Sequence, residues 1–338
     1  MRVGIVGVGF MGATHAAGWA KTPAEIVGFT AETQTEAVAI SEQYETNTYR
    51  SLEDMLPDVD VVDICSPTHL HHEMALKAAA AGKHIVCEKP LARTTKQARE
   101  ILAACQKAGV QLLVAHVVRF FPEYALARSA VAEGQIGKPG LIRLHRGSYR
   151  PKKPAGNWFL DEVKSGGILM DLMIHDYDYA RWVAGDVESV SARRVTQRHP
   201  EAPVDYGLVI LSHRSGALSH IAGAWAYPPP TFRTHLEIAG DQGLIQFDSD
   251  ATAPIQNLIL KTSGASGSDA PDVGLPSSPV SESPYTTQLK EFYRALADGA
   301  AARVSAADGL AAVQIAEAAL ESAHTGQPVR LQPLPEAS

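Results

Sequence analysis

The sequence predicts an α/β protein in which a doubly wound parallel sheet is followed by an α+β domain built on a largely antiparallel sheet. Three observations lead to this fold class. The chain has 338 residues, more than twice the length of a domain of about 150 residues. Its first 118 residues alternate short apolar runs with segments of helical spacing. From about residue 140 the runs lengthen and alternate apolar with polar side chains. We therefore divide the chain into domains at 1–118 and 119–338.

The N-terminal domain contains five short runs rich in β-branched residues, each followed by a turn. Apolar runs with little polar alternation are typical of strands buried on both faces of a parallel sheet that helices cover. The predicted strands are 3–6, 26–29, 61–64, 84–87 and 111–115, and the predicted helices are 11–21, 33–44, 71–81 and 95–108. Strand and helix alternate, which predicts a doubly wound sheet.

The C-terminal domain shows a different pattern of longer strands joined by hairpin-type turns. Such turns between alternating runs favour antiparallel pairing. The predicted strands are 141–149, 187–196, 206–213, 217–226, 235–239 and 244–247, and the predicted helices are 168–183, 287–298 and 306–323. Residues 263–284 are rich in Ser, Gly, Pro and Asp and are predicted to form a surface loop.

Composition and charge exclude several classes of partner. The chain has 30 Lys and Arg against 37 Asp and Glu, a net charge of −7, and no basic block that would follow a phosphate backbone, so we expect no nucleic-acid partner. No stretch approaches the roughly 18 apolar residues of a spanning helix, and we expect neither a signal peptide nor a membrane partner. The three cysteines, with no metal-type spacing, favour buried free thiols and a reducing cytoplasm.

A glycine motif follows the first predicted strand directly and opens the first predicted helix. It reads Gly7-Val8-Gly9-Phe10-Met11-Gly12. Gly7 allows a tight turn, Gly9 lets the backbone approach a pyrophosphate, and Gly12 lets the helix pack closely on the strand. The helix N-terminus at Phe10 and Met11 supplies free N–H groups to the anion. The context of strand, spacing and helix predicts a Rossmann-type dinucleotide-binding domain.

Glu32 is the candidate for recognition of the adenosine ribose. An acidic residue is expected about 20 residues after the last glycine, and Glu32 lies just past the second predicted strand. Its carboxylate would accept hydrogen bonds from the ribose and repel a 2′-phosphate, and residues 31–40 contain no Lys or Arg. NAD is therefore favoured over NADP. The alternative is that Glu32 only begins a solvated helix face.

Three further stretches bring a family into view. They are Ser66-Pro67-Thr68-His69-Leu70-His71 after the third main strand, Glu88-Lys89-Pro90 after the next, and Gly166-Gly167 leading into Asp171, His175 and Asp178. With the glycine motif, they resemble the Gfo/Idh/MocA oxidoreductases, the family of glucose-fructose oxidoreductase and inositol dehydrogenase. The resemblance extends over nearly the whole chain. It implies a nicotinamide-dependent dehydrogenase or reductase that acts on a sugar or a cyclitol, and a homodimer or homotetramer.

The resemblance also implies roles for particular residues. Lys89 would lie between nicotinamide and substrate, and Asp171 and His175 would be its acidic and imidazole partners from the second domain. On the cofactor side it places Lys89 together with Ser66, Pro67, His71 and Glu88. For His71, packing is the alternative.

The residue types suit the oxidation of a secondary alcohol. His175, with an ordinary pKa of about 6.5, can accept the hydroxyl proton near neutral pH. Asp171 lies four residues earlier in the same predicted helix, so both side chains would share a face and Asp171 could orient the ring. Lys89 lies where a parallel strand ends and could stabilise developing alkoxide charge.

Other side chains have weaker indications of function. Arg119 and the aromatic residues Trp158 and Tyr149 suit a polyol site, with core packing as the alternative for each. No metal site is expected at His69, His71 and His72, because side chains one and two positions apart on a helix do not converge.

Two rival functions stay open at this point. One is NAD-dependent glycoside hydrolysis, in which transient oxidation assists elimination with the same residues. The other is a regulator that binds a dinucleotide without catalysis, although the presence of Lys89, Asp171 and His175 together argues against it. The open face of the second sheet is expected to need a partner subunit, because an exposed apolar face is costly.

Overall fold

The computed structural model describes residues 1–151, 158–197, 204–250 and 282–333, and these form two sheets with helices packed on them. The first sheet has six strands, all parallel, and the second has seven, mostly antiparallel. The predicted fold class is confirmed. The predicted boundary after residue 118 falls in a 3₁₀ turn, Val117–Phe120, between the two sheets.

The first sheet has the strand order β3-β2-β1-β4-β5-β6. Its strands are β1 (Arg2–Val6), β2 (Glu25–Thr30), β3 (Asn47–Thr48), β4 (Val61–Ile64), β5 (His84–Glu88) and β6 (Leu112–Ala115). Every residue of β4 and β6 is buried, as expected for strands with helices on both faces. The order reverses between β1 and β4, and such a switch point is where open α/β sheets bind ligands at the carboxyl ends of their strands.

Helices connect these strands. They are α1 (Phe10–Trp19), α2 (Gln34–Tyr44), α3 (Leu52–Met55), α4 (Thr68–Ala80), α5 (Thr95–Ala108) and α6 (Pro122–Ala132). Helix α4 begins three residues before the predicted start, with Pro67 at its N-cap. The two-residue β3 and the single-turn α3 are too short to give a periodic signal, and the sequence did not predict them.

The second sheet has the strand order β12-β11-β7-β10-β9-β8-β13, in which only β7 and β10 pair in parallel among the described strands. Its strands are β7 (Pro139–Ser148), β8 (Val187–Gln197), β9 (Val204–His213), β10 (Leu218–Trp225), β11 (Phe232–Gly240), β12 (Leu244–Asp248) and β13 (Val329–Arg330). The remaining helices are α7 (Glu162–Ser165), α8 (Gly167–Asp171), α9 (Ile174–Ala184), α10 (Pro284–Asp298) and α11 (Ala306–Thr325). Helices α8, α9 and α11 cover one face of this sheet.

The predicted single helix over 168–183 is wrong, because the chain turns between α8 and α9. The Met173 N–H bonds to the Ile168 carbonyl five residues back, and the Asp176 N–H bonds to Met173 three residues back. The helical hydrogen bonds thus change from a spacing of four residues to spacings of five and then three, and this irregular turn separates two short helices. Asp171 and His175 therefore do not share one helical face.

The C-terminal helices return to the first domain. Leu289 of α10 packs on Gly18 of α1, where a Cβ would crowd its Cδ1 atom. Glu317 of α11 accepts a hydrogen bond from the Thr95 N–H at the start of α5, 2.9 Å away. Helices α10 and α11 therefore join the second domain to the first.

Three smaller expectations have mixed outcomes. Cys87 and Cys105 are buried free thiols and Cys65 is half-buried and free, so the prediction of unpaired cysteines is confirmed. The predicted loop lies outside the described residues for 263–281. Within the described ranges, no helix combines the length and the apolar character that a membrane crossing requires.

Candidate active site

The glycine motif forms a close-packed turn between β1 and α1. Gly7 has a φ of +91°, and a Cβ on it would lie 2.7 Å from the Cys65 carbonyl oxygen. A Cβ on Gly12 would collide with the Gly7 carbonyl oxygen. Gly9 is the N-cap of α1 and, having no side chain, leaves the first N–H groups of Phe10 and Met11 uncapped. This cradle fits the pyrophosphate of a dinucleotide.

The other predicted cofactor residues follow neighbouring strands at the same edge of the sheet. Glu32 lies two residues beyond the end of β2, and its side chain is exposed to solvent. Ser66 and Pro67 follow β4, and Lys89 follows β5. Because these are the carboxyl ends of parallel strands, their residues border the same crevice.

Lys89 connects the two domains. Its Nζ donates a hydrogen bond to the main-chain oxygen of Asp171 at 2.8 Å and lies 3.3 Å from the Asp171 Oδ1 atom. The side chains of Lys89 and Asp171 are 15% and 10% exposed, so the pair is sheltered and yet still reachable from the cleft. The predicted pairing of Lys89 with the acidic residue of the second domain is present in this geometry.

His175 lies at the start of α9 and is half-buried, with its Nδ1 atom enclosed and without a hydrogen-bond partner. Burial, and then the charges of Lys89 and Arg146 and the ring of His116, hold the pKa of His175 well below that of an ordinary histidine. The ring is therefore neutral at pH 7 and can accept a proton. The expectation that Asp171 orients this ring is wrong, because Asp171 bonds to Lys89.

A buried ion pair lies behind His175. Arg146 of β7 donates two hydrogen bonds to Asp176 of α9, at 2.9 and 2.8 Å, and both side chains are almost fully buried. His116, at the end of β6, is also fully buried and has no hydrogen-bond partner on either ring nitrogen. Neither Arg146 nor His116 was predicted for the site. For Arg146 the sequence did hold a signal, because a charged residue at an inward-facing position of a strand needs a buried partner.

The prediction that Arg119 binds substrate is wrong. Its guanidinium donates two hydrogen bonds to Asp178, at 2.8 and 2.6 Å, and further bonds to Asp308 and to the Arg303 carbonyl oxygen. The residue is 1% exposed. Burial opposes the charge of Asp308, but Arg119 outweighs it and lowers the pKa of Asp308 to about 2. Arg119 therefore joins the domain junction to α9 and α11, with no surface toward a substrate.

His71 and Glu88 also differ from their prediction as cofactor ligands. His71 is 1% exposed, and its two ring nitrogens lie 2.8 Å from the carbonyl oxygens of Pro90 and Ser66. Both oxygens of the Glu88 carboxylate are occupied, one by His15 and the other by the Lys89 N–H. The polar atoms of both side chains are therefore already paired with protein groups around the crevice.

The aromatic candidates stay predictions. Trp158 is half-buried and stacks on Phe159, with ring centroids 3.9 Å apart. Tyr149 is 4% exposed just beyond the end of β7. An apolar ring face such as that of Trp158 suits the C–H surface of a sugar.

One group within the described ranges has the composition of a metal site. Ligand atoms of His15, Asp63 and Cys65 lie within 4.8 Å of one another. The Asp63 carboxylate, however, already accepts hydrogen bonds from His15 and from the Trp19 Nε1–H at 2.6 Å. Hydrogen bonding accounts for the cluster, and the expectation of no metal at the site stays a prediction.

The chain is similar in sequence to one family of oxidoreductases. The profile described as "Oxidoreductase family, NAD-binding Rossmann fold" (GFO_IDH_MocA) matches residues 1–116, and that of the "GFO/IDH/MocA C-terminal domain" matches residues 124–246. A myo-inositol 2-dehydrogenase of Thermotoga maritima is 29% identical over 98% of this chain and 99% of its own. A 1,5-anhydro-D-fructose reductase of Ensifer adhaerens is 31% identical over 82% of this chain and 81% of its own.

The fold is also similar to solved structures. Levoglucosan dehydrogenase, in a complex with NADH and levoglucosan, superposes with a TM-score of 0.81 at 26% identity, covering 98% of this chain and 99% of that one. The superposition therefore extends over nearly the whole of this chain.

Proposed function

This chain belongs to the Gfo/Idh/MocA oxidoreductase family, and on that premise we propose that it oxidises a secondary hydroxyl of a sugar or cyclitol with NAD as the hydride acceptor. Relatives named inositol 2-dehydrogenase and levoglucosan dehydrogenase support the substrate class. One observation carries the proposal. The Lys89 ammonium from the nucleotide domain is bonded to Asp171 of the second domain, beside a neutral histidine and at the same edge of the sheet as the glycine cradle.

The chain's own residues supply the acid–base chemistry. The glycine cradle and Glu32 would hold NAD, which would supply the hydride acceptor for the substrate carbon. The hydroxyl proton must leave at the same time, and the neutral ring of His175 accepts it. The Lys89 ammonium donates a hydrogen bond to the same oxygen and stabilises its developing negative charge. Asp171 holds that ammonium at the domain junction before substrate arrives.

The cofactor preference rests on Glu32. Its exposed carboxylate after β2 is placed to accept hydrogen bonds from the adenosine ribose and would repel a 2′-phosphate. This favours NAD over NADP. Because the pyrophosphate cradle and Glu32 lie in the first domain, cofactor binding and proton transfer use separate sets of residues.

The outer face of the second sheet supports a homodimer. Of the nine large hydrophobic residues exposed within the described ranges, five lie on this face, opposite the helices. They are Val195, Tyr206, Leu208, Leu218 and Leu244. A second copy of the chain would bury this face.

Leu208→Arg should convert a dimer into a monomer in sedimentation experiments, whereas Val163→Arg, at a position 83% exposed on α7, should not. Unchanged sedimentation of both would contradict the dimer face.

We also place the protein in the cytoplasm, because three free thiols suit a reducing compartment.

The substrate class is tested by incubating purified protein with NAD or NADP and a panel of cyclitols, sugars and their acids, following the absorbance of the reduced nicotinamide. Reduction of NAD by a polyol is expected. NAD binding without reduction across the panel would contradict the proposal.

A further inference from the structure

A buried chain of polar groups lies behind Lys89. The Trp19 Nε1–H donates to the Asp63 carboxylate, and the His15 Nδ1 atom lies 2.9 Å from the Asp63 Oδ2 atom. On its other side, the His15 Nε2 atom lies 3.1 Å from the Glu88 Oε1 atom. The second Glu88 oxygen accepts the main-chain N–H of Lys89 at 3.0 Å. The chain therefore runs from the side of α1 to the backbone of Lys89.

Charge accounts for this arrangement. Both ring nitrogens of His15 face carboxylates, and a neutral imidazole has only one N–H, so only the imidazolium donates to both. The ring and the Asp63 carboxylate are fully buried, and the Glu88 side chain is 7% exposed. Burial opposes the charge, but the buried carboxylate of Asp63 outweighs it and raises the pKa of His15 well above the usual range.

The charges then alternate across the domain junction. Asp63 is negative, His15 positive and Glu88 negative, and Lys89 is positive beside the negative Asp171. Without the His15 cation, two buried carboxylates would share one enclosed space, and burying an unpaired charge is costly. The Glu88 carboxylate would lose its fixed position, and with it the acceptor that holds the Lys89 N–H.

We propose that His15 is a positioning residue that fixes the main chain of Lys89 through the carboxylate of Glu88. This inference rests on the proposed role of Lys89 in turnover. His15 lies in α1, the helix that begins at the glycine cradle. Its link to Lys89 runs through the Glu88 carboxylate. The nucleotide-binding helix and the reactive lysine are thereby fixed to one another.

The first test compares two buried histidines. His213 of β9 is a matched control, because it is 3% exposed and its ring nitrogens contact the Gly185 carbonyl oxygen and the Ser219 hydroxyl, both at 2.7 Å. His15→Leu should lower kcat about tenfold to a hundredfold, the cost of a small misplacement of a reacting group, with little change in the Kd for NAD. His213→Leu should leave kcat unchanged. Equal kcat values in the two variants would overturn the proposal.

Rescue and coupling distinguish positioning from general loss of structure. His15→Gln keeps an N–H within reach of Glu88 and should recover part of the kcat lost in His15→Leu. In a double-mutant cycle, the His15→Leu effect on kcat should shrink in a Glu88→Leu background, because both changes break one connection. Independent, multiplicative effects would overturn the proposal.

A spectroscopic measurement works without activity and covers the case in which a variant fails to fold. In ¹⁵N NMR of the wild-type protein, both His15 ring nitrogens should stay protonated at pH 8, held by Asp63 and Glu88, with Cys65 and Tyr285 as the other titratable neighbours. A neutral ring at pH 8 would overturn the inference. If Lys89→Ala left turnover intact, the proposed function would fail instead, whatever the state of His15.

Discussion

The pH dependence of turnover follows from the surroundings of His175. In the oxidation direction the base must be neutral when substrate binds, so kcat/KM rises with pH through the pKa of His175. A histidine with an ordinary pKa of about 6.5 would be half protonated at pH 6.5 and would leave about a tenth of the plateau at pH 5.5. Burial and the neighbouring Lys89 and Arg146 move the His175 pKa below that value. The acid limb should therefore lie below pH 6.5.

The ratio of kcat/KM at pH 6.5 to kcat/KM at pH 8 measures how far the pKa of His175 is lowered. We expect kcat/KM at pH 6.5 to exceed half of its value at pH 8, because the ring is already mostly neutral at the lower pH. His175→Asn should lose the limb and lower the plateau about a hundredfold to ten-thousandfold, the usual contribution of a positioned base. The assay is initial-rate NAD reduction with a confirmed substrate, with a deuterated substrate to show that hydride transfer limits the rate.

The charge of Lys89 provides a second test of the pKa of His175. Removing the Lys89 ammonium takes away one cause of the lowered His175 pKa. In Lys89→Met the ring should titrate at a higher pH than in the wild-type protein, as measured by NMR. A wild-type limb centred at or above pH 6.5, or a limb unchanged in His175→Asn, would refute the assignment of the base. Lys89 would then be the next candidate.

Two further predictions concern the cofactor and the domain junction. Glu32→Ala should weaken NAD binding more than NADP binding in titration calorimetry, because it removes both the ribose contact and the repulsion of a 2′-phosphate; tighter NADP binding by the wild-type protein would show that Glu32 has another role. Arg119→Met should lower the free energy of unfolding by about 3–5 kcal/mol, because it leaves Asp178 buried without its partner, while KM stays near the wild-type value. A large rise in KM with unchanged stability would instead return Arg119 to the substrate site.

Local motifs made the cofactor edge predictable from the sequence. Gly7, Gly9 and Gly12 act within six consecutive residues, and strand and helix lie directly on either side, so their roles follow from short-range geometry. Lys89 was predictable for a related reason, since it comes just after a buried strand. The carboxyl ends of parallel strands meet at one edge, and the sequence order therefore already placed these residues together.

Tertiary pairing hid the rest of the site. Arg119 pairs with Asp178 and Asp308, which lie 59 and 189 residues away in the chain. A local sequence pattern does not distinguish an arginine that faces a cleft from an arginine that is enclosed by acidic side chains. His15, Asp63 and Glu88 come from α1, β4 and β5 and meet only in the fold. The turn between α8 and α9 lies within a continuous apolar pattern, so helical spacing alone predicted one helix.

On the proposed function, Lys89 acts on the substrate oxygen and not in cofactor binding. Single-turnover hydride transfer in Lys89→Ala, measured beside the Kd for NAD, separates these two roles. Loss of one preorganised donor to a developing oxyanion costs about a hundredfold to a thousandfold. We predict a fall of that size in the transfer rate with the Kd for NAD within about threefold of the wild-type value. A transfer rate within tenfold of the wild type, or a loss explained by weaker NAD binding, would rule out this role of Lys89.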